Sequence, residues 1–514
     1  MTTPTASSAT MPGSGLTAIP AYVPAEPPAG SGAVRATAAR SLRWTLLESF
    51  GLSGLSFIAL IFFSRYLSAA EFGIAAVAIG IVQLLNVPVE MLFHDALIRT
   101  REATARHINS AFTAALLIGV LLTGACWLLA DRFAALIGQP EVGPVLRWMS
   151  LGLVASGWGS ALVALQRRHM QFRTLALRST IGRGGSAVIG ITLAVSGAGV
   201  WSLVAQQVSM TVLATLALWL LAPERPRFGL SRPELGEMTR FGVPAASFSL
   251  VGLSTQRFFM IGVAAFLGVQ AAGILSLAFR AVDMLRDIVG SAVAQLALPI
   301  FASLQGSRAD IRRTFSAAVR LTTALMYPLF AGLAVCSYEV VEIVFGARWL
   351  GAAPFVALLA LLTFQFFGRL FSVPIYNATG HPVLPSIALL LQIAYVVAGM
   401  LLFGRFSLEA AAAVWASRLL LGLGIDLWLL RRVTGLSVAG QLAGAMHPAL
   451  AAAAMAAVVH GTKVYLLAAY DPALRLALMV GLGAVTYSAV LWLLNRSLVL
   501  ELLAFARQTV KRAT

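Results

Sequence analysis

The sequence predicts an all-α polytopic membrane protein with about fourteen transmembrane helices, and three observations carry that prediction. Of 514 residues, 59% are hydrophobic and 11% are charged, whereas a soluble domain is about 25% charged. Apolar windows long enough to cross a bilayer recur from Trp44 to the C-terminus. The basic residues between those windows fall on alternate loops. Folding alone cannot withdraw so much apolar surface from water, so a bilayer must cover it.

The expected spans are 44–64, 72–93, 109–130, 143–165, 175–195, 201–221, 241–266, 272–299, 317–345, 354–376, 383–403, 409–430, 446–469 and 473–494. One set of loops and termini, from Arg35 through Arg99, Arg167, Arg225, Arg312 and Arg431 to Arg512, holds 24 Lys and Arg residues. The opposite set, which includes Arg65, Arg132, Arg348 and Lys463, holds 7. Basic loops stay in the cytoplasm, so both termini are expected there, in a bacterial inner membrane. The net charge of +17 is then a property of membrane-flanking loops that meet anionic headgroups, and nucleic acid is not an expected partner. Residues 1–40, rich in Ala, Thr, Ser, Pro and Gly, read as a disordered cytoplasmic tail without a cleavable signal peptide. Cys126 and Cys336 lie inside apolar segments and form neither a disulfide framework nor a metal spacing.

An internal repeat divides the chain. RYLSAAEFGIAAVA from Arg65 parallels AFLGVQAAGILSLA from Ala265, placing Leu67 over Leu267, Gly73 over Gly273 and Ile74 over Ile274 at an offset of 200 residues. Two similar lobes around a central site are the architecture such repeats build in transporters. The expected division is an N-lobe over 41–222, a C-lobe over 223–435, and two further helices with a basic cytoplasmic tail over 436–514.

Six arginines belong to neither set of loops and sit within the expected spans: Arg183, Arg257, Arg280, Arg286, Arg369 and Arg418. The eighth span concentrates charge, with Arg280, Asp283, Arg286 and Asp287 on an arc of about 120°. Each bare charge facing lipid would cost about 2.5–3.5 kcal/mol, so this face is expected to meet a wet cavity or polar partner. Within the eighth span the charges are spaced to neutralise one another, Arg280 with Asp283 and Arg286 with its neighbours; the functional alternative has arginines gripping an anion while Asp283 or Asp287 acts as counter-charge or senses protons or sodium. At the repeat offset the second span supplies Gln83, Asn86, Glu90 and His94 on one face, Gln83 over Asp283 and Asn86 over Arg286. Interhelical hydrogen bonding accounts for Gln83 and Asn86 as well as a cavity does, whereas a carboxylate such as Glu90 favours the cavity. No phosphate-cradling Gly/Lys loop, HExxH, CxxC or Ser/His/Asp set is present, and no loop is long enough for a catalytic domain, so an enzyme is not expected.

Together with the repeat, the segments RYLSAAEFGI, HDALIRT, LQRRHMQFRTLALR, GAGVWSLVAQQV, FLGVQAAGILSLAFR, LPIFASLQGSRADIRR, VFGARWLGAAPF and NATGHPVLPSI resemble, in order and spacing, the polysaccharide-transporter (Wzx-type flippase) branch of the multidrug/oligosaccharidyl-lipid/polysaccharide exporter superfamily. The resemblance implies two pseudo-symmetric six-helix lobes (MATE/MOP-like) plus two C-terminal helices. It implies export of undecaprenyl-diphosphate-linked oligosaccharide for exopolysaccharide, capsule or O-antigen, no cofactor beyond a proton or sodium gradient, and a polysaccharide polymerase as a potential neighbour. By position, Arg257, Arg280, Arg286, Arg369 and Arg418 would be the cavity cations, Glu90, Asp283 and Asp287 the coupling or counter-charge groups, and Gln83, Asn86 and His94 the polar stripe. The alternatives are a multidrug/cation antiporter, which favours an acid-rich cavity over arginines, and a lipid II flippase. A membrane-embedded glycosyltransferase would need a long extracytoplasmic loop.

Overall fold

The structure is a computed structural model that describes residues 51, 54–100, 103–302, 308–365, 370–372, 375–376, 384–467 and 469–502, with side chains described outside 288–314 and 385–386. The N-terminal tail, Arg369, residues 377–383 and the basic tail beyond 502 lie outside these residues. Every long described element is a helix. In chain order they are α1 (Gly54–Tyr66), α2 (Ala69–Met91), α3 (His94–Arg99), α4 (Ala105–Leu136), α5 (Val142–Arg168), α6 (Phe172–Val195), α7 (Val200–Leu221), α8 (Arg232–Ala302), α9 (Arg308–Val335), α10 (Ser337–Val340), α11 (Ala353–Leu362), α12 (Leu384–Gly399), α13 (Leu408–Thr434), α14 (Val438–Tyr465) and α15 (Pro472–Leu494).

Helix stands at each expected span, and eleven helices among the described residues are long and apolar enough to cross a membrane. Two of the differences from fourteen have physical causes: α6 carries Arg173, Arg178 and Arg183, and α8 contains two expected spans in one run, while the start of the first span lies outside the described residues. That run breaks at Gly268 (φ 88°, ψ 165°), a conformation without penalty only for glycine. At the repeat-equivalent position the N-lobe uses Ser68 (φ −80°, ψ 165°), whose hydroxyl caps α2 while Glu71 bonds back to the Ser68 amide. The two lobes thus break at equivalent positions by different means, one with an extended capping residue and one with a glycine at positive φ.

The ninth expected span, 317–345, is not one helix. It ends at Val335, turns at Cys336, and continues through α10 and a π-helical stretch (Val341–Phe345) to Gly346 (φ 99°) and a 3-10 turn (Ala347–Ala352). This irregular segment reaches the other lobe. Trp349 donates its indole N–H to the Ser64 carbonyl at 2.7 Å, Arg65 donates to the Ile343 carbonyl at 2.7 Å, and Phe72 packs edge-on against Trp349.

The lobes join mainly through α2, which lies along both halves of α8. At one end of the bundle a methyl group on Gly73 would collide with the Val269 carbonyl, and one on Gly273 would collide with the Ala69 carbonyl. The two contacts exchange under the 200-residue offset, so the repeat corresponds to a local twofold axis that passes between Gly73 and Gly273. Small residues let the backbones approach where apolar lipid gives helices no reason to associate by hydrophobicity alone. At the other end the Leu92 carbonyl leaves no room for a side chain at Gly242. There α8 starts nine residues before the expected span, as a polar extension tied to α4: the Ser231 amide donates to Ser110 Oγ (2.9 Å), and His107 meets Glu237 at 3.4 Å.

Candidate functional site

Between the lobes lies a cavity of about 340 Å³, within the size range of small-ligand sites. Its N-lobe wall comes from α1 (Ser56, Phe63), α2 (Gln83) and α7 (Gln206, Gln207) and carries no charge among the described residues. Its C-lobe wall comes from the two halves of α8 and carries Gln256, Arg257, Ser276, Arg280, Asp283 and Asp287. The helical period explains the set, since 276, 280, 283 and 287 advance by three or four residues and return to one face.

Within this wall the neutralised alternative holds for Arg286 and its neighbours and not for Arg280 with Asp283. Asp283 takes Arg286, at 2.9 Å, rather than Arg280, and receives the Gln256 amide at 3.5 Å. Arg286 Nε also lies 4.0 Å from Asp287, whose carboxylate is 73% exposed. Arg257 and Arg280 have no carboxylate within 4.0 Å among the described residues and stand near one another. Arg257 packs its aliphatic stem on Gly80 of α2, and the Arg280 guanidinium sits 5.9 Å from the Phe72 ring centre, so both cations reach across to the N-lobe.

Other expected residues go elsewhere. Arg286 and Arg418 line a separate chamber of about 100 Å³ inside the C-lobe, with Gln365, Thr363 and Trp415; Gln256, Phe279 and Asp283 form the partition between the two spaces. Arg418, only 6% exposed, stacks 4.0 Å from the Trp415 ring centre and donates to Gln392 Oε1 at 3.2 Å. Gln83 faces the central cavity with its Oε1 buried and, among the described residues, unpartnered; Asn86 Oδ1 is likewise buried and unpartnered among the described residues but does not line that cavity. Glu90 and His94 leave it altogether: seven residues along α2 from Gln83 is about 10 Å. There His94 meets Arg167 (3.1 Å), and Glu90 lies within electrostatic reach of Arg178. Arg369 lies outside the described residues. Gln206, Gln207 and Gln256 complete the lining without having been singled out; two adjacent amides in the otherwise apolar start of α7 were the available signal. No cluster of three or more metal-type ligands occurs among the described residues.

Two matched helical lobes enclosing a polar chamber at their interface define an integral membrane transporter. The chain belongs to the family of polysaccharide biosynthesis proteins, whose family model matches residues 62–354. It is 28% identical over 483 residues to the succinoglycan biosynthesis transport protein ExoT of Rhizobium meliloti, covering 93% of this chain and 97% of that one. It is 24% identical to the teichuronic acid biosynthesis protein TuaB of Bacillus subtilis, covering 87% and 93%. Among solved structures it superposes on the lipid II flippase MurJ in an inward closed conformation with a TM-score of 0.75 at 14% identity, covering 89% of this chain and 100% of that one.

Proposed function

We propose that this protein carries undecaprenyl-diphosphate-linked oligosaccharide repeat units from the cytoplasmic to the outer leaflet of the inner membrane, for assembly of a surface polysaccharide. The observation that carries this reading is the pair of arginines, Arg257 and Arg280, that have no carboxylate within 4.0 Å among the described residues and face a chamber whose opposite wall offers neutral amides. Guanidinium forks match the diphosphate, and they stay charged at any working pH. Gln83, Gln206, Gln207 and Gln256 offer both donors and acceptors to sugar hydroxyls. The prenyl tail stays in the bilayer beside the lobes. The distribution of basic loops supports an outer-face position for the Gly73/Gly273 seam; this arrangement is then sealed outward, and alternating access requires that seam to part. Asp283 and Asp287 are the carboxylates placed to respond to a proton or sodium gradient, and relatives named for the biosynthesis of succinoglycan and teichuronic acid support the substrate class.

The test is genetic and biochemical. Deletion abolishes the surface polysaccharide and leaves lipid-linked repeat units accessible only from the cytoplasmic face; the intact gene restores export, and Arg257→Gln with Arg280→Gln does not. Normal polysaccharide with altered sensitivity to cationic dyes would overturn the reading in favour of an antiporter.

A further inference from the structure

Away from the central cavity, a second charged pocket of about 280 Å³ opens at the basic end of the bundle. It is lined by Asp95 and Arg99 of α3 and by Arg240, Phe241, Pro244 and Ala245 of α8. The close seat of Gly242 on the Leu92 carbonyl fixes the two walls against one another. Arg99 and Arg240 are exposed and make no ion pair among the described residues, so one Asp against two Arg leaves the pocket with a net positive charge. Immediately beside it the surface turns apolar: Phe241 is 59% exposed, and Phe248, 43% exposed, follows on the same face about two turns further along α8. A cationic pocket at the edge of a lipid-facing apolar strip fits a molecule with an anionic head and an acyl tail.

We infer that this pocket binds the headgroup of an anionic phospholipid, phosphatidylglycerol in kind, with the phosphate held between Arg99 and Arg240. The acyl chains run along Phe241 and Phe248. Asp95 accepts from a headgroup hydroxyl, which a glycerol headgroup supplies. Because Arg99 belongs to the N-lobe end and Arg240 to the polar start of α8, the bound phosphate bridges the two sides of the Leu92–Gly242 contact. A structural lipid there stabilises the arrangement in which the lobes are joined at this end.

The test uses the purified full-length chain and native mass spectrometry, titrating phosphatidylglycerol, phosphatidylcholine and undecaprenyl phosphate separately. Phosphatidylglycerol is expected to bind in preference to phosphatidylcholine, and its affinity to fall about fivefold for Arg99→Gln or Arg240→Gln and about 30-fold for both. The charge-conserving double variant, Arg99→Lys with Arg240→Lys, retains most of the affinity and gives the same answer if the glutamine pair does not fold. Asp95→Asn should tighten binding of phosphatidylglycerol. Arg432→Gln, on another basic loop, should leave it unchanged; an equal loss there would mean diffuse surface charge and overturn the site. Undecaprenyl phosphate binding here more tightly than phosphatidylglycerol would make it a docking place for the carrier and overturn the phospholipid assignment. None of these readouts depends on transport, so they stand or fall separately from the flippase reading.

Discussion

Asp283 has two arginines within electrostatic reach, Arg286 and Arg257, and bonds the first. By taking Arg286 it leaves Arg257 and Arg280 without a carboxylate partner among the described residues, and an arginine with no internal partner is the one free to hold a ligand's phosphate. Substitutions should separate the two roles. Arg257→Gln and Arg280→Gln are each expected to cut polysaccharide export at least tenfold with the melting temperature of the purified protein nearly unchanged. Arg286→Gln instead strands Asp283 and should lower the melting temperature, so matched thermal scans and export assays across the three variants decide the assignment. Glu339 gives a second case. It is 3% exposed between Lys463 (2.9 Å) and Arg475 (3.5 Å), and it ties α14 and α15 to the C-lobe. Glu339→Gln leaves two cations facing each other and should cost about 2 kcal/mol, less than the 3–5 of a fully buried pair because both cations are partly wetted. Denaturant unfolding of the variant measures it. At this scale the residue types of the cavity could be read from the chain, because charge inside an apolar span has few explanations. Which acid pairs with which base could not be read, since 280/283 and 283/286 are both compatible helical spacings.

Helix placement was legible because apolar length and loop charge are local properties; element ends were less so. The polar start of α8 and the broken stretch after Val335 depend on partners from the other lobe, Ser110 and Arg65 among them, that no local pattern announces. The seam between α2 and the second half of α8 makes the sharpest prediction at this scale. Gly73→Val or Gly273→Val cannot close without moving backbone, so each should abolish export while the protein still inserts and folds. Because the two glycines share one contact, the double variant should be no worse than either single one. Wild-type export from Gly73→Val would show that the seam need not close during the cycle. The sequence paired these glycines as equivalents, and the fold put the equivalents in contact.

For the whole molecule, the alternation of 24 against 7 basic residues makes a topological prediction. Reporter fusions after residues 104, 225 and 434 should be active as cytoplasmic markers, and those after 138, 197 and 406 as external ones. A reversal at any one of these would remove the assignment of the Gly73/Gly273 seam to the outer face. The two-lobed plan was visible in one weak repeat because internal symmetry constrains only positions where backbones touch. Elsewhere the lobes have diverged, as the walls of the cavity show: neutral amides on one side and every described charge on the other.

Composition, span length and loop charge settled by themselves that this chain lives in a membrane as a bundle of helices with charged residues held off the lipid, because the bilayer penalises every other arrangement. The tertiary structure alone decided that Arg257 and Arg280 share a chamber with glutamines of α2 and α7, that Arg286 and Arg418 serve the interior of one lobe, and that Glu90 and His94 belong to the basic end. Those outcomes depend on how helices distant in sequence rotate and pack against one another, and a single helix carries no record of what its neighbour presents.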